Sequence, residues 1–118
     1  MLNLNHKKFG VWKKCIEFIT NIYKMTEKFP REELYGLTSQ IRRAAISVAS
    51  NIAEGAARSS ALERKRFFEI ARSSLVEIDT QLEISINLEY YKKEDLTQME
   101  DQMNHIFAML SSLIAKTK

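Results

Sequence analysis

Residues 34–58 read LYGLTSQIRRAAISVASNIAEGAAR, a stretch in which two seams share one helical period. Leu37, Ile41, Ala45, Val48 and Ile52 step by four, four, three and four residues, which stacks them on one face of an α-helix. Gln40, Ala44, Ser47, Asn51, Glu54 and Arg58 run beside them at steps of four, three, four, three and four. A lone surface helix needs one apolar stripe and a solvated back. Two ordered seams predict a helix that packs on its own bundle through one and meets something else through the other.

The rest of the chain supplies that bundle. Three Gly and one Pro in 118 residues are too few for an all-β chain rich in tight turns, and no segment alternates with period two. A first helix is expected from Val11 to about Lys28, burying Trp12, Ile16, Ile19 and Tyr23, with Cys15 and Ile22 as further candidates. Phe29-Pro30 stops it, because the residue before proline avoids the α region. The second helix should start between Glu32 and Thr38 and end near Glu54, with Gly55 as its C-terminal cap. Ser60-Ala61-Leu62-Glu63 matches a capping box and opens the third helix, which reaches about Tyr90. Its apolar face comprises Phe67, Ile70, Ala71, Ser74, Ile78, Leu82, Ser85 and Leu88. After a charged turn at Lys92-Lys93-Glu94, the fourth helix shows Leu96, Met99, Met103, Ile106, Leu110 and Leu113 at heptad spacing. The expected fold is all-α, an up-down-up-down antiparallel four-helix bundle forming one domain over residues 1–118.

Charge is unevenly spread. Residues 1–30 carry six Lys against two Glu, residues 31–72 eight basic against five acidic residues, and residues 73–118 four Lys against eight acids. Antiparallel order would gather Lys7, Lys8, Lys13, Lys14, Arg58, Arg64, Lys65, Arg66, Lys116 and Lys118 at one end. Arg42, Arg43 and Arg72 lie about twelve residues from the 2–3 loop, hence ~18 Å from it at the helical rise, and extend the basic territory into a stripe. Such a surface reads either as a phosphate-backbone contact, since clustered cations displace condensed counterions, or as a solvated face that keeps the protein soluble. Phe9 and Trp12 are the only aromatic residues obviously near the cluster, so binding by charge and shape is expected rather than sequence reading.

Other chemistry finds little footing. Gln102 and Asn3 stand three residues before His105 and His6, where a di-iron bundle would place Glu, so no metal or cofactor is expected. His6 falls in an N-terminal tail expected to be mobile. Cys15, the only cysteine, sits beside the apolar face without an activating base, which makes it an inert core thiol rather than a nucleophile. The N-terminus lacks an apolar signal region, and the longest apolar run, Ile106 to Leu110, is far short of the ~20 residues that span a bilayer. A cytoplasmic, non-enzymatic protein is expected. Asn51, Glu54 and Arg58 read either as solvated side chains at a helix end or as a hydrogen-bonded network setting helix or subunit register, with Glu77 as a further member.

The ordered run Tyr35-Gly36-Leu37-Thr38-Ser39-Gln40-Ile41-Arg42-Arg43-Ala44-Ala45 follows Phe29-Pro30 and Glu33, and precedes Ser50-Asn51-Ile52-Ala53-Glu54-Gly55 and Arg58. With Trp12-Lys13 before it and Glu63, Phe67, Ala71, Ser73-Ser74 and Glu77 after it, the chain resembles the 23S rRNA-intervening-sequence proteins, also called the S23 ribosomal protein family. The resemblance implies a small antiparallel bundle assembling as a homopentamer around a central channel. It implies no established activity. The accessory variability proteins of diversity-generating retroelements are similar in fold, and there basic pentamers bind nucleic acid and a reverse transcriptase. The function expected here is thus RNA or DNA binding by an oligomeric accessory bundle, in which Arg42, Arg43, Arg58, Arg64, Lys65, Arg66 and Arg72 contact phosphates and Lys13 and Lys14 rank second. A protein-interaction scaffold is the alternative, with a reverse transcriptase or another protein as partner.

Overall fold

The structure, a computed structural model, describes residues 1–118. Four helices run Gly10–Thr26 (α1), Leu37–Ala57 (α2), Ala61–Asn87 (α3) and Thr97–Lys116 (α4). Short 3₁₀ turns at Asn5–Lys8, Arg31–Glu33 and Lys93–Leu96 lead into α1, α2 and α4, and there is no strand. Each helix packs on its sequence neighbour and α4 returns to α1, closing an antiparallel up-down-up-down bundle of 44 × 27 × 20 Å. The three-residue connection between α2 and α3 and their long shared contact make them the tightest pair.

The core follows the expected seams on α2 and α4. Ile41, Ala45, Val48 and Ile52 are fully buried, with Leu37 half-buried at the margin. On α4, Met99, Met103, Ile106 and Leu110 are buried, and the seam finishes on Ile114 while Leu113 is half-buried.

On α1 the expected face is displaced by one position. Val11, Cys15, Phe18, Ile22 and Met25 are buried, whereas Ile16 is 42% and Tyr23 36% exposed, and Trp12 and Ile19 are half-buried. Two apolar stripes one residue apart, about 100° around the helix, compete for the interior. The bundle buries the one carrying Phe18 and Met25 and leaves at its edge the one carrying Tyr23, whose hydroxyl is cheaper to keep wet. The N-terminal segment differs from expectation as well. The turn Asn5–Lys8 packs on α1 and α2, and His6 is buried edge-to-face against Trp12 with ring centroids 5.1 Å apart.

A similar shift occurs on α3. Ala71, Ile78, Leu82 and Ser85 are buried as expected, but Phe68, Leu75 and Gln81 join them, while Ile70 and Leu88 stand 40% and 49% exposed. The α2 terminus accounts for Phe68. The helix does not stop at Gly55 but runs on to Ala57, with Gly55 buried inside it. A Cβ on Gly55 would lie 2.7 Å from Phe68 Cε1, so the glycine serves close approach of α3 rather than a left-handed cap.

Ser60 caps α3 as expected, its Oγ accepting the Glu63 N–H at 3.1 Å. The helix ends three residues earlier than expected, at Asn87. There the Tyr90 N–H donates to the Ser85 carbonyl and the Glu89 N–H to that of Ile86, a Schellman closure with Glu89 at φ 64° where glycine is usual. The turn delivers Tyr90 to the α1–α2 connection, where its hydroxyl donates to Glu33 Oε2 at 2.8 Å and its ring packs on Phe29. Glu33 Oε1 accepts the Leu37 N–H at 3.1 Å, so one carboxylate ties α2's first turn to the α3–α4 turn. These donations hold the Glu33 carboxyl below its ordinary range, with the Tyr90 hydroxyl the larger cause, and the same contact raises Tyr90.

Candidate functional site

The fold brings the start of α1, the α2–α3 loop and the end of α4 to one end, opposite the Glu33–Tyr90 contact. Of the residues expected to contact phosphates, three stand free. Arg43, Lys65 and Arg66 are exposed and make no side-chain hydrogen bond or ion pair. Lys13 is exposed in the same way, whereas Lys14 is half-buried beside Glu17, Asp101 and His105.

The other four arginines are tethered within the chain. Arg42 Nε donates to Thr26 Oγ1 at 2.8 Å and a terminal nitrogen to the Tyr23 carbonyl at 3.3 Å, with the guanidinium 4.5 Å over the Tyr23 ring. It fastens α2 to the last turn of α1, where a cation suits the carbonyl end of the helix. Arg64 donates to the carbonyls of Arg58 and Ser59 at 3.2 and 2.8 Å, holding the α2–α3 loop. Arg72 reaches Ser111 Oγ at 3.2 Å and lies 5.8 Å from the Phe107 ring centre. Arg58 pairs with Glu54 at 3.2 Å and lies 4.8 Å over Phe67. Sequence spacing located these side chains along the helices; their reach across to a neighbouring helix or loop carries no periodic signal.

Electrostatically, the surface is notable for how little is neutralised. The chain has 18 Lys and Arg and 15 Asp and Glu, yet Arg58–Glu54 is the one ion pair within 4.0 Å.

The polar seam of α2 resolves into separate contacts. Ser47 Oγ meets Ser74 Oγ at 3.0 Å across the α2–α3 interface, and Asn51 Nδ2 donates to the Ser47 carbonyl and Oγ at 2.8 and 2.9 Å. Glu54 and Arg58 form their own exposed pair further along. Glu77 joins neither; it accepts from Gln81 Nε2 at 3.2 Å, while the buried Gln81 Oε1 has no partner. Instead of one network, the seam is a small-residue contact between adjacent helices, and Ser74 is the partner that the spacing of α2 alone did not reveal.

No three His, Cys, Asp or Glu side chains converge as metal ligands, and no helix is long and apolar enough to cross a membrane. Cys15 is completely buried, and burial pushes its thiol up to about 12, far from the thiolate that nucleophilic chemistry requires.

No curated protein matches the chain. Among solved structures, a protein of unknown function from the S23 ribosomal protein family of Bacteroides thetaiotaomicron VPI-5482 superposes with a TM-score of 0.82 at 25% identity, covering 90% of this chain and 96% of that one. Neither this description nor that of the matching family specifies a catalytic activity. The sequence model of the 23S rRNA-intervening sequence proteins matches residues 7–112, nearly the whole bundle, and the chain belongs to that family.

Proposed function

We propose that this protein is a non-enzymatic helical bundle that binds RNA or DNA without sequence preference, as an accessory factor. The observation that carries this reading is the set of exposed cations without carboxylate partners, Arg43, Lys65, Arg66 and Lys13. Cations already neutralised by carboxylates would release few counterions; free ones gain most from phosphate. The tethered Arg42 and Arg64 act as structural supports in this reading, while Arg58 and Arg72, on the surface but engaged, make secondary contacts.

We further propose that the bundle works as a homo-oligomer, the pentamer that the family resemblance implies. Exposed apolar side chains support this: Ile16 and Tyr23 on one face of α1, Ile46 on α2, and Ile70 and Ile84 on one face of α3, each residue between 36% and 44% exposed. The same side chains would serve the alternative reading, a protein-interaction scaffold.

Fluorescence anisotropy with mixed-sequence RNA and DNA tests the main reading. Affinity should fall by an order of magnitude or more between about 50 and 200 mM salt, and Arg43→Glu with Lys65→Glu and Arg66→Glu should flatten that slope. No binding at the lowest salt would leave the scaffold reading in its place. Light scattering gives the oligomer size independently.

A further inference from the structure

One groove at the basic end belongs to none of the contacts above. It lies between the start of α1 and the last turns of α4, open to solvent, with a volume of about 530 Å³. Phe9, Val11, Met109 and Leu113 give it an apolar floor, and His105 and Lys116 stand among its lining residues. Its size falls within the ~300–1,000 Å³ usual for small-molecule sites. Gly10 lets the start of α1 pass close to Met109, since a Cβ there would stand 3.3 Å from Met109 Cε.

Charge narrows what could enter. No carboxylate lines this groove, whereas the adjoining stretch of the α1–α4 valley is lined by Glu17 and Asp101, with Lys14 offsetting one of the two. An anionic ligand with an apolar flat face is therefore accommodated at this end and disfavoured one step further along. A nucleobase on its phosphate has that chemistry: one face against the Phe9 ring and the Met109 thioether, its edge toward His105, its phosphate toward Lys116. A base inside a duplex is stacked on both faces and cannot enter without being extruded.

We propose that the α1–α4 groove takes an unstacked base, so that the protein binds single strands in preference to duplexes. This rests on the nucleic-acid reading and adds a strand class to it. The backbone cations Arg43, Lys65 and Arg66 would serve either strand form, and the groove supplies the discrimination.

The test uses the full chain with a single-stranded oligonucleotide carrying 2-aminopurine and with a hairpin duplex of the same composition. Single strand should bind about tenfold more tightly than duplex, with a change in 2-aminopurine emission that reports a base entering a new environment. Leu113→Gln, an uncharged change at a half-buried position, should lower single-strand affinity about tenfold, to the duplex value. Met109→Gln provides the same reading should Leu113→Gln fail to fold. Equal affinity for the two forms with unchanged emission overturns the groove alone. Binding of neither form removes the nucleic-acid reading and this inference with it. A Leu/Glu-alternating peptide that occupies the groove when neither oligonucleotide does would identify a protein occupant and overturn it as well.

Discussion

The Phe68 ring lies where a side chain on Gly55 would stand, 2.7 Å from the position of a Cβ, with the Arg64 carbonyl 3.1 Å away on the same side. Gly55→Ala sets two effects against each other. Alanine gains up to about 1 kcal/mol of helix propensity, whereas overpacking costs about 1–3 kcal/mol. The Arg64 carbonyl is backbone and cannot step aside, so overpacking wins and stability falls by about 1–2 kcal/mol. Urea denaturation measures the loss, and Phe68→Leu in the same chain should recover part of it.

Arg42 and Arg43 are neighbours in sequence with opposite roles. Arg42→Ala removes the bonds to Thr26 and Tyr23 and the stacking on the Tyr23 ring, a loss of about 1–2 kcal/mol. Arg43→Ala removes an exposed, unbonded side chain and should change stability by less than about 0.5 kcal/mol. Any nucleic-acid affinity should respond in the reverse order. Thermal melts and binding titrations on both variants would expose a mistaken assignment, because equal effects on stability contradict it.

Glu89 holds φ 64° at the end of α3, a conformation that side chains with a Cβ adopt at a penalty of about 1–2 kcal/mol. Glycine escapes the penalty but has more freedom to lose on folding. Glu89→Gly should therefore stabilise the fold by about 0.5–1 kcal/mol, seen as a higher Tm. An unchanged or lower Tm would mean that the glutamate side chain makes up the difference.

The Tyr90–Glu33 contact makes stability depend on pH at both extremes. Glu33 is lowered, so its contribution is complete above the unfolded-state value of about 4.3 and is lost as pH falls through the folded value. Tyr90 is raised, so its contribution is complete below about 10 and is lost as pH rises through the folded value. The stability difference between the native chain and Tyr90→Phe should be widest near neutrality and shrink below about pH 4 and again in strong alkali. A difference that stays constant with pH counts against the hydrogen bond.

Cys15 should resist iodoacetamide at pH 8, where an ordinary thiol near 8.5 reacts, because burial both raises this one to about 12 and shields it. Labelling should accelerate through the unfolding transition in denaturant. Rapid labelling of the folded chain would show that α1 opens locally.

The legibility of the fold in the sequence differs from helix to helix. On α2, a single apolar stripe of four members, Ile41, Ala45, Val48 and Ile52, has no rival, and it is buried as expected. On α1, the stripe through Cys15, Phe18 and Ile22 is shadowed by one through Trp12, Ile16 and Ile19, and periodicity within one helix does not choose between them. Packing against α2 and α4 chooses. Gly55 read as a helix stop because caps and close contacts demand the same residue, and only the position of Phe68 separates them. The closure after Asn87 left no sequence signal, since glutamate occupies the left-handed position. At the candidate site, the location of the cations was legible, but not which of them the chain ties to its own carbonyls, a property of side-chain reach between helices.

The segregation of charge along the bundle has a consequence at a distance. The molecule is 44 Å long, while ions screen a field over about 8–10 Å at physiological strength. At the opposite end, the α1–α2 and α3–α4 connections and their flanking turns carry Glu27, Glu32, Glu33, Glu89, Glu94, Asp95, Glu100 and Asp101 against Lys24, Lys28, Arg31, Lys92 and Lys93. That end therefore lies several screening lengths from anything that the basic end touches, and its repulsion is extinguished before it arrives. An anionic surface encounters not a protein of net charge +3 but the local charge of the end nearest to it. The resulting torque turns the basic end inward during the last nanometre of approach.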